Sequence, residues 1–295
     1  MKTIYFLILN YNTLEETREC VSSIKKLDTE DFLVKIMIID NKSEDDSFES
    51  LAAEYEDDNS IELIQLERNE GFSRANNYGF CKIRAMENIS FIILCNSDVV
   101  FVQKDFLIKV TKLYQDQKFH LLGPDVFCPN DIDRPWKGHQ SPAYPWEGRR
   151  WYVKSQILRF SEKSEGGTSL YGNCLLKSVT LMSRLLMYTF YRNYRRRFHQ
   201  NVALNGSCMV LAPEFICNEE KVFLPETRFY FEELLLNVRR KRKHYKSVYA
   251  PELKIYHMQG RATRKGRDKQ TIEKFMAENM VESGKIYLKE ISLKF

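Results

Sequence analysis

The chain has 295 residues, a length that fits a single α/β domain with insertions. Hydrophobic residues make up 43% and charged residues 29%, which predicts a folded protein with a sizeable core and excludes a disordered chain. The seven cysteines are scattered without a close CxxC pair, which indicates free thiols rather than a disulfide framework or zinc site. The start lacks a signal-peptide cleavage site, and no apolar run reaches roughly eighteen residues. We therefore expect a cytoplasmic protein.

The net charge of +5 is modest, but the basic residues are clustered. No acidic residue occurs between Gly166 and Pro213. The basic residues in that span include Lys177, Arg184, Arg192, Arg195, Arg196 and Arg197. A second basic block runs from Arg239 to Lys246. Such blocks are typical of surfaces that face polyanions, although the second one equally suits the negative pole at a helix end.

The first hundred residues repeat one unit. Apolar runs rich in β-branched residues begin at Ile4, Val34, Ile61 and Phe91. This spacing of about thirty residues is the length of a strand plus a crossover helix. Strands that are apolar throughout and alternate with helices predict a parallel, doubly wound sheet with helices on both faces. Ligands bind such sheets outside the carboxyl ends of the strands.

Amphipathic segments separate the apolar runs. The first has its apolar positions on one helical face, at Leu14, Thr17, Val21, Ile24 and Leu27. Thr13 and Glu16 have the spacing of a capping box at its start. The second amphipathic segment follows Ser43 and extends to Tyr55.

The alternation of apolar runs and amphipathic segments stops between residues 130 and 200, which we interpret as an insertion. Its segment Leu175–Phe198 combines a broad apolar stripe with many arginines and predicts an amphipathic basic helix. An interfacial helix on anionic lipid and a core-covering helix with a phosphate-facing end both fit it. Regular patterning then returns, with helices predicted over Phe229–Lys241 and Thr271–Leu288 and extended structure over Ser247–His257.

Polar clusters follow the four predicted strands. They are Asn10–Asn12, Asp40–Ser43, Asn69–Asn77 and Asn96–Asp98. One such cluster alone is often only a helix cap. Because the carboxyl ends of parallel strands share one edge of the sheet, four clusters together indicate a binding site there.

These segments resemble a known family. ILNYN, IIDNKSEDDS, ERNEGFSRANNYGF and ILCNSDVVF are similar to the nucleotide-binding half of family-2 glycosyltransferases. They most resemble the bacterial rhamnosyltransferase-like members that build O-antigen and capsule. FYFEELLLNVRRKRKHYKSVYAPELKIYH resembles the family's segment with an acidic pair and a later histidine. The resemblance is strong over residues 3–101, moderate over 201–262 and weak elsewhere.

The resemblance implies the GT-A fold, an α/β architecture with a mainly parallel doubly wound sheet flanked by helices. A helical insertion and a C-terminal helix would complete one domain over residues 1–295. We expect a nucleotide-sugar-binding half over 1–129, the insertion with its amphipathic basic helix over 130–200, and an acceptor and catalytic half over 201–295.

The resemblance also implies a set of donor-binding residues. Asp40 matches the acid that hydrogen-bonds the nucleobase, and Arg74 matches a charge partner of the diphosphate. The complete implied set is Asn10, Tyr11, Asp40, Asn41, Asn69, Gly71, Arg74, Asn76, Asn96 and Ser97.

Metal binding is implied at Asp98, which matches the last residue of the family's DxD motif. That motif holds Mg²⁺ or Mn²⁺, which favour oxygen ligands. Asn96 stands at the first position of the motif, and we interpret this change as weaker metal binding rather than loss. His257 matches a third metal ligand, with a purely structural histidine as the equal alternative.

The acidic pair of the family matches Glu232 and Glu233. Glu233 takes the position of the general base, although a surface glutamate on the helix is the alternative. The family frequently has a further acidic residue two positions later, and this chain has Leu235 there. The catalytic residues implied are therefore Glu233 and, beside it, Glu232.

The function implied is inverting transfer of a sugar from a UDP- or dTDP-sugar to a hydroxyl of a glycan acceptor, in surface polysaccharide biosynthesis. The acceptor would be linked to polyprenyl diphosphate, which suggests a peripheral position on the inner face of the cell membrane. We expect anionic lipid as a partner there, and we expect no nucleic acid.

Three other functions fit parts of the sequence. A nucleotidyltransferase needs a basic, Gly-rich loop after the first strand, and NYNTLEE has neither glycine nor positive charge. A non-enzymatic module that binds nucleic acid or membrane leaves Asp40 and Asp98 unexplained. A degenerate transferase, suggested by Asn96 and Leu235, stays open.

Overall fold

A computed structural model describes residues 2–29, 32–128, 142–143, 147–164, 190, 192–258 and 269–293 of the chain. The strands are β1 (Lys2–Asn10), β2 (Phe32–Asp40), β3 (Ile61–Gln65), β4 (Ile89–Asn96), β5 (Val99–Phe101), β6 (Leu121–Phe127), β7 (His199–Gln200), β8 (Cys208–Leu211) and β9 (Ser247–His257). The helices are α1 (Leu14–Ile24), α2 (Ser47–Tyr55), α3 (Gly71–Arg84), α4 (Phe106–Gln117), α5 (Arg150–Ser164), α6 (Pro213–Asn218), α7 (Glu232–Arg242) and α8 (Lys269–Glu290).

The first four strands form a parallel sheet in the order β3-β2-β1-β4. The register pairs Asn10 with Asp40 and Leu9 with Asn96, so the polar strand ends meet at one edge. The predicted alternation of strands and helices is confirmed for this half of the chain. Each strand is the apolar run that the sequence marks.

The later strands make the sheet mixed. β8 pairs antiparallel with both β4 and β6, and β9 is parallel to β6 but antiparallel to β5 and β7. The pairing of β5 with β9 sets His257 opposite Val99, one residue after Asp98. A residue from late in the chain is thereby brought to the end of β4.

Two apolar cores lie on opposite faces of the sheet because successive strand residues alternate in direction. Phe6 and Ile8 belong to the core that includes α1 and α4 residues, whereas Leu7 belongs to the core that includes α3 and α6 residues. Gly79 allows α3 to approach β1 closely, since a Cβ there would lie 2.3 Å from a methyl group of Leu7. Burying each such large side chain stabilises the fold by about 1.5–3 kcal/mol.

Two helix starts differ from the sequence prediction. The capping box is wrong, because the Thr13 hydroxyl bonds to Asn10 Oδ1 at 2.8 Å and Ser97 Oγ at 2.8 Å and makes no cap. α7 begins at Glu232 rather than Phe229, because Tyr230 and Phe231 have φ values of 69° and 68°. Thr13 instead ties the end of β1 to the loop after β4.

The C-terminal helix α8 packs along α5. Gly284 permits this contact, since a Cβ there would lie 2.8 Å from Ile157. Of the predicted basic helix Leu175–Phe198, residues 175–189 and 191 lie outside the described residues. Within the described ranges, no helix combines the length and apolarity needed to cross a bilayer.

Candidate active site

Asp98 and His257 meet at the edge of the sheet where β4 ends. Their Oδ1 and Nε2 atoms are 3.1 Å apart, and both residues are 7% exposed. The Nδ2 atom of Asn96 lies 3.5 Å from the same imidazole nitrogen. A backbone hydrogen bond from Met258 N to Asp98 O, at 2.9 Å, holds the two loops together. The structure thus brings together the three residues predicted to surround a metal.

These three side chains offer a carboxylate, an imidazole and an amide oxygen. No group of three or more His, Cys, Asp or Glu that could hold a metal occurs in the described part of the chain. The set fits Mg²⁺ or Mn²⁺ only as a partial shell, in which diphosphate oxygens and water complete the coordination. Asp98 and His257 would hold such an ion, with Asn96 beside them.

The predicted acidic pair lies in the first turn of α7. Glu232 is 4% exposed, and burial together with the neighbouring Glu233 charge raises its pKa to about 8. Burial also raises the pKa of Glu233. Within the described residues, Oε1 of Glu232 has no hydrogen-bond partner. A carboxyl of this kind is protonated at neutral pH and is able to donate a hydrogen bond.

The backbone before the acidic pair is strained. Tyr230 and Phe231 are bulky residues in the left-handed region, which costs about 1–3 kcal/mol each and is concentrated at functional sites. Phe231 packs against Tyr287 and Leu235 in a third apolar cluster. Leu235 is 1% exposed, so the position where relatives have a further acid is used for packing here.

One cavity of about 450 Å³ joins the acidic pair to the strand-end residues. Its lining residues are Phe72, Asn96, Glu147, Tyr152, Gln156, Asn205, Gly206, Ser207, Phe229, Tyr230, Phe231, Glu232, Glu233, Leu234, His257 and Met280. A Cβ at Gly206 would lie 3.8 Å from Glu233 Oε2, which places that carboxylate against the loop before β8. The cavity is therefore lined by aromatic rings, by the two glutamates and by His257.

Asp40 and Asn10 are fully buried at the ends of β2 and β1. Asp40 Oδ2 accepts hydrogen bonds from Asn10 Nδ2 and Ser43 Oγ at 2.6 Å each. Its Oδ1 accepts from Ser43 N at 2.9 Å and Gln65 Nε2 at 3.2 Å. In this arrangement Asp40 fixes the strand ends, and direct contact with a nucleobase requires one of these four bonds to exchange.

Asn41, Asn69 and Gly71 form one bonded loop. Asn41 Oδ1 accepts from Glu70 N at 2.9 Å, and Asn69 Oδ1 accepts from Gly71 N at 3.0 Å. Gly71 has φ +79°, and a Cβ there would lie 2.9 Å from the backbone oxygen of Arg228. Only glycine fits this position, where the donor-binding half contacts the segment before α7.

The other predicted donor-binding residues are in varied surroundings. Arg74 is exposed and pairs with Glu70 at 3.5 Å and Glu226 at 3.1 Å. Asn76 Nδ2 bonds to Phe72 O at 2.9 Å within α3, and is 3% exposed. Ser97 is buried against Thr13, whereas Tyr11 is half-buried and donates to Glu44 at 3.2 Å. Arg74 is thus the exposed member of the set, and Tyr11 is partly exposed.

Sequence reasoning missed several residues around the site. Gln65 ends β3 and reaches Asp40, a position that strand spacing indicates. Glu226 joins Arg74 to Lys221, and its pKa is lowered chiefly by the Lys221 hydrogen bond. Tyr152 of α5 lies in the predicted insertion, where no motif marked it.

A second, larger cavity of about 770 Å³ lies over β6 and β9. Its lining includes Asp125, Arg195 and Lys254 but none of the predicted site residues, and Arg195 pairs with Asp125 at 3.6 Å. Of the second basic block, Arg239 and Arg240 are buried and bond to backbone and side-chain oxygens. The basic residues of α7 that are buried therefore have structural partners.

The sequence profile described as "Glycosyl transferase family 2" matches residues 5–182, more than half of the chain. The chain belongs to glycosyl transferase family 2. This membership confirms the resemblance and gives the protein the function of glycosyl transfer. The curated proteins contain no significant match to the chain.

Solved structures share the fold at low sequence identity. The mannosyltransferase PcManGT from Pyrobaculum calidifontis, in complex with GDP-Man and Mn²⁺, is 12% identical with a TM-score of 0.53, over 98% of this chain and 72% of that one. S. aureus TarS 1-349 in complex with UDP-GlcNAc is 14% identical with a TM-score of 0.51, over 97% and 72%. GalNAc-T7 with UDP, GalNAc and Mn²⁺ is 14% identical with a TM-score of 0.55, over 87% and 44%. The predicted GT-A fold is confirmed.

Proposed function

We propose that the chain is an inverting glycosyltransferase that depends on Mg²⁺ or Mn²⁺ and uses a UDP- or dTDP-sugar as its donor. One observation carries this proposal. The cavity that contains Glu232 and Glu233 also contains Asn96 and His257, and His257 contacts Asp98. An in-line displacement at a sugar carbon requires a base and a diphosphate site within one cavity.

Glu233 is the proposed general base. It would accept the proton of an acceptor hydroxyl while that oxygen forms a bond to the anomeric carbon of the donor. The bond from this carbon to the diphosphate oxygen breaks, and the nucleoside diphosphate leaves with the electron pair. A raised pKa brings Glu233 nearer to neutral pH, which suits a base that must also release its proton.

Glu232 has a different proposed role. Because its pKa is about 8, it is protonated at neutral pH, and the residue lines the same cavity. It is able to hydrogen-bond a sugar hydroxyl without adding a second negative charge beside Glu233. In this proposal Glu232 acts as the hydrogen-bond donor and Glu233 as the base of the pair.

The diphosphate of the donor is proposed to bind beside Asp98, His257 and Asn96. A divalent cation bound there supplies positive charge that stabilises the leaving diphosphate. His257 also restricts the rotation of Asp98 through their 3.1 Å contact. The mannosyltransferase and GalNAc-T7 structures contain Mn²⁺, which supports the metal assignment.

The proposed donor site lies along the ends of β1 to β3. Tyr11 and Arg74 would contact the nucleotide directly. Arg74 would exchange its ion pairs with two acidic side chains for an ion pair with the diphosphate. The shape of this site would be set by the remaining members of the set, which are Asn10, Asp40, Asn41, Asn69, Gly71, Asn76 and Ser97. The acceptor is proposed to be a glycan linked to polyprenyl diphosphate, in surface polysaccharide biosynthesis at the inner face of the membrane.

The test is incubation with single sugar nucleotides and Mn²⁺, followed by measurement of the released nucleoside diphosphate. GDP-sugars are included because one structural relative binds GDP-Man. Release from a UDP- or dTDP-sugar that stops with a chelator supports the proposal. Nucleotide-dependent thermal stabilisation without any release would instead support a degenerate transferase.

A further inference from the structure

The side of α5 that faces away from α8 has an unusual composition. We call it the outer face and define it by Trp151, Lys154, Ser155, Leu158 and Arg159, all of which are exposed. The spacing of these residues places them on one side of a helix. Trp151 is 64% exposed and Leu158 is 54% exposed, which is a large apolar area to leave in water.

This apolar area is not needed to hold α5 in place. The opposite side of the helix is anchored by Val153, which is fully buried, and by Ile157, which contacts Gly284 of α8. Trp151 forms only an edge contact with Tyr152 among the ring contacts of the described residues. The outer face is therefore available to a partner while α5 stays folded.

The charged residues of the outer face, Lys154 and Arg159, are both basic. The sequence from Arg149 to Ser161 contains Arg149, Arg150, Lys154 and Arg159 and no acidic residue. The positive charge extends to α7, since Arg149 adds to burial and Arg240 in lowering the pKa of Lys241. Cations that repel one another in this way are stabilised by a polyanion.

We propose that the outer face of α5 docks onto an anionic phospholipid surface. Tryptophan and leucine would enter the interface between headgroups and acyl chains, and the basic side chains would contact lipid phosphates. The combination of an exposed tryptophan with two basic side chains that have no ion pair among the described residues favours lipid over a second copy of the chain, whose basic face would repel this one.

The proposed docking also determines where the cavity lies relative to the lipid surface. Tyr152 and Gln156 lie on the adjoining side of α5 and line the cavity that contains Glu233. Contact of the outer face with a bilayer would bring the mouth of this cavity to the lipid surface, within reach of a lipid-linked acceptor. This last step rests on the proposed function, whereas the docking surface itself does not.

The test is sedimentation of the full chain with vesicles of phosphatidylcholine, with and without phosphatidylglycerol. Wild-type protein should bind only the anionic vesicles, and added salt should weaken binding. Lys154→Gln with Arg159→Gln should lower the partition coefficient about ten- to thirtyfold, at about a factor of five for each cation. Trp151→Ser with Leu158→Ser should lower it at least about tenfold.

Matched controls change exposed residues on other elements. Lys26→Gln with Lys112→Gln removes the same charge, and Leu33→Ser with Tyr78→Ser removes exposed apolar area. Both control pairs should bind anionic vesicles within about twofold of wild type. Thermal unfolding of each variant confirms that the fold is intact.

Three results overturn the inference: no binding of wild type to anionic vesicles, equal losses in the control pairs, or a dimer that is lost when Trp151 and Leu158 are changed. Nucleotide-sugar hydrolysis without vesicles separates this inference from the proposed function. Hydrolysis should be unchanged in the α5 variants. If no variant hydrolyses any donor while vesicle binding follows the pattern above, the proposed activity fails and the docking surface stands.

Discussion

Asp98 Oδ1 and His257 Nε2 lie 3.1 Å apart, although one residue follows β4 and the other ends β9. The contact depends on the antiparallel pairing of β5 with β9, which sets His257 opposite Val99. It joins the loop after β4 to β9, the strand that follows the helix with Glu232 and Glu233. The geometry of the proposed diphosphate site is therefore fixed by strand register rather than by a flexible loop.

The first prediction concerns this pair. Asp98→Ala should lower nucleotide-sugar turnover by more than about 100-fold, because even the partners that orient metal ligands are worth about 10–100-fold. His257→Ala should be milder, since Asp98 and the diphosphate remain. The measurement is diphosphate release over a series of Mn²⁺ concentrations, with thermal unfolding as the check on the fold.

Asp116→Ala, a change at an exposed position of α4, is the matched control and should keep wild-type turnover. Wild-type turnover that persists in excess chelator would remove the metal from the mechanism. Equal losses in the Asp98 and Asp116 variants would point to a general effect on folding.

The sequence predicted the parallel half of the fold well, because each strand there is an uninterrupted apolar run and each helix has a clear apolar face. β1, β2 and β4 lie where the runs beginning at Ile4, Val34 and Phe91 predicted them. The site at the strand ends follows from the same pattern, since parallel strands end at one edge.

Features that depend on contacts between distant residues could not be predicted. Thr13 has the spacing of a cap, but its hydroxyl bonds to Asn10 and to Ser97, and only the folded sheet brings Ser97 near. Likewise, Phe231 fits a helical pattern, yet packing against Tyr287 accompanies a left-handed backbone there.

The second prediction tests the base. Glu233→Gln should lower turnover by about 10²- to 10⁴-fold, the usual contribution of a general base, while the amide preserves the shape of the side chain. Affinity for UDP with Mn²⁺, measured by calorimetry, should stay within about twofold of wild type. Lost nucleotide affinity with unchanged turnover would assign the base to another residue, with Glu232 the first candidate.

The third prediction concerns Gly71. Gly71→Ala should destabilise the fold by about 1–3 kcal/mol, because alanine disfavours φ +79° and its Cβ would approach the backbone of Arg228 to 2.9 Å. Gly206→Ala is the control, since its Cβ would meet no atom closer than 3.8 Å. Urea unfolding of both variants gives the comparison. Equal stability of the two variants would contradict the close approach at Gly71.

The fourth prediction uses the raised pKa of Glu232, about 8 in the folded protein against an ordinary value of 4.5. Between these values the unfolded chain releases the proton while the folded protein retains it. The free energy of unfolding should therefore fall as pH rises from about 4.5 to 8. Glu232→Gln removes this loss, so the variant should gain stability over wild type by up to a few kcal/mol at pH 8 and little at pH 5.

Glu226→Gln is the control of opposite sign, because the pKa of Glu226 is lowered chiefly by its hydrogen bond with Lys221. Such a carboxylate contributes stability above about pH 4.5 and loses that contribution only as pH falls further. Its variant should differ from wild type by a constant amount between pH 5 and 8. Urea unfolding at several pH values measures both variants. A stability difference for Glu232→Gln that is also constant over this interval would show that Glu232 ionises normally in the folded protein, and its proposed role as a hydrogen-bond donor at neutral pH would then fail.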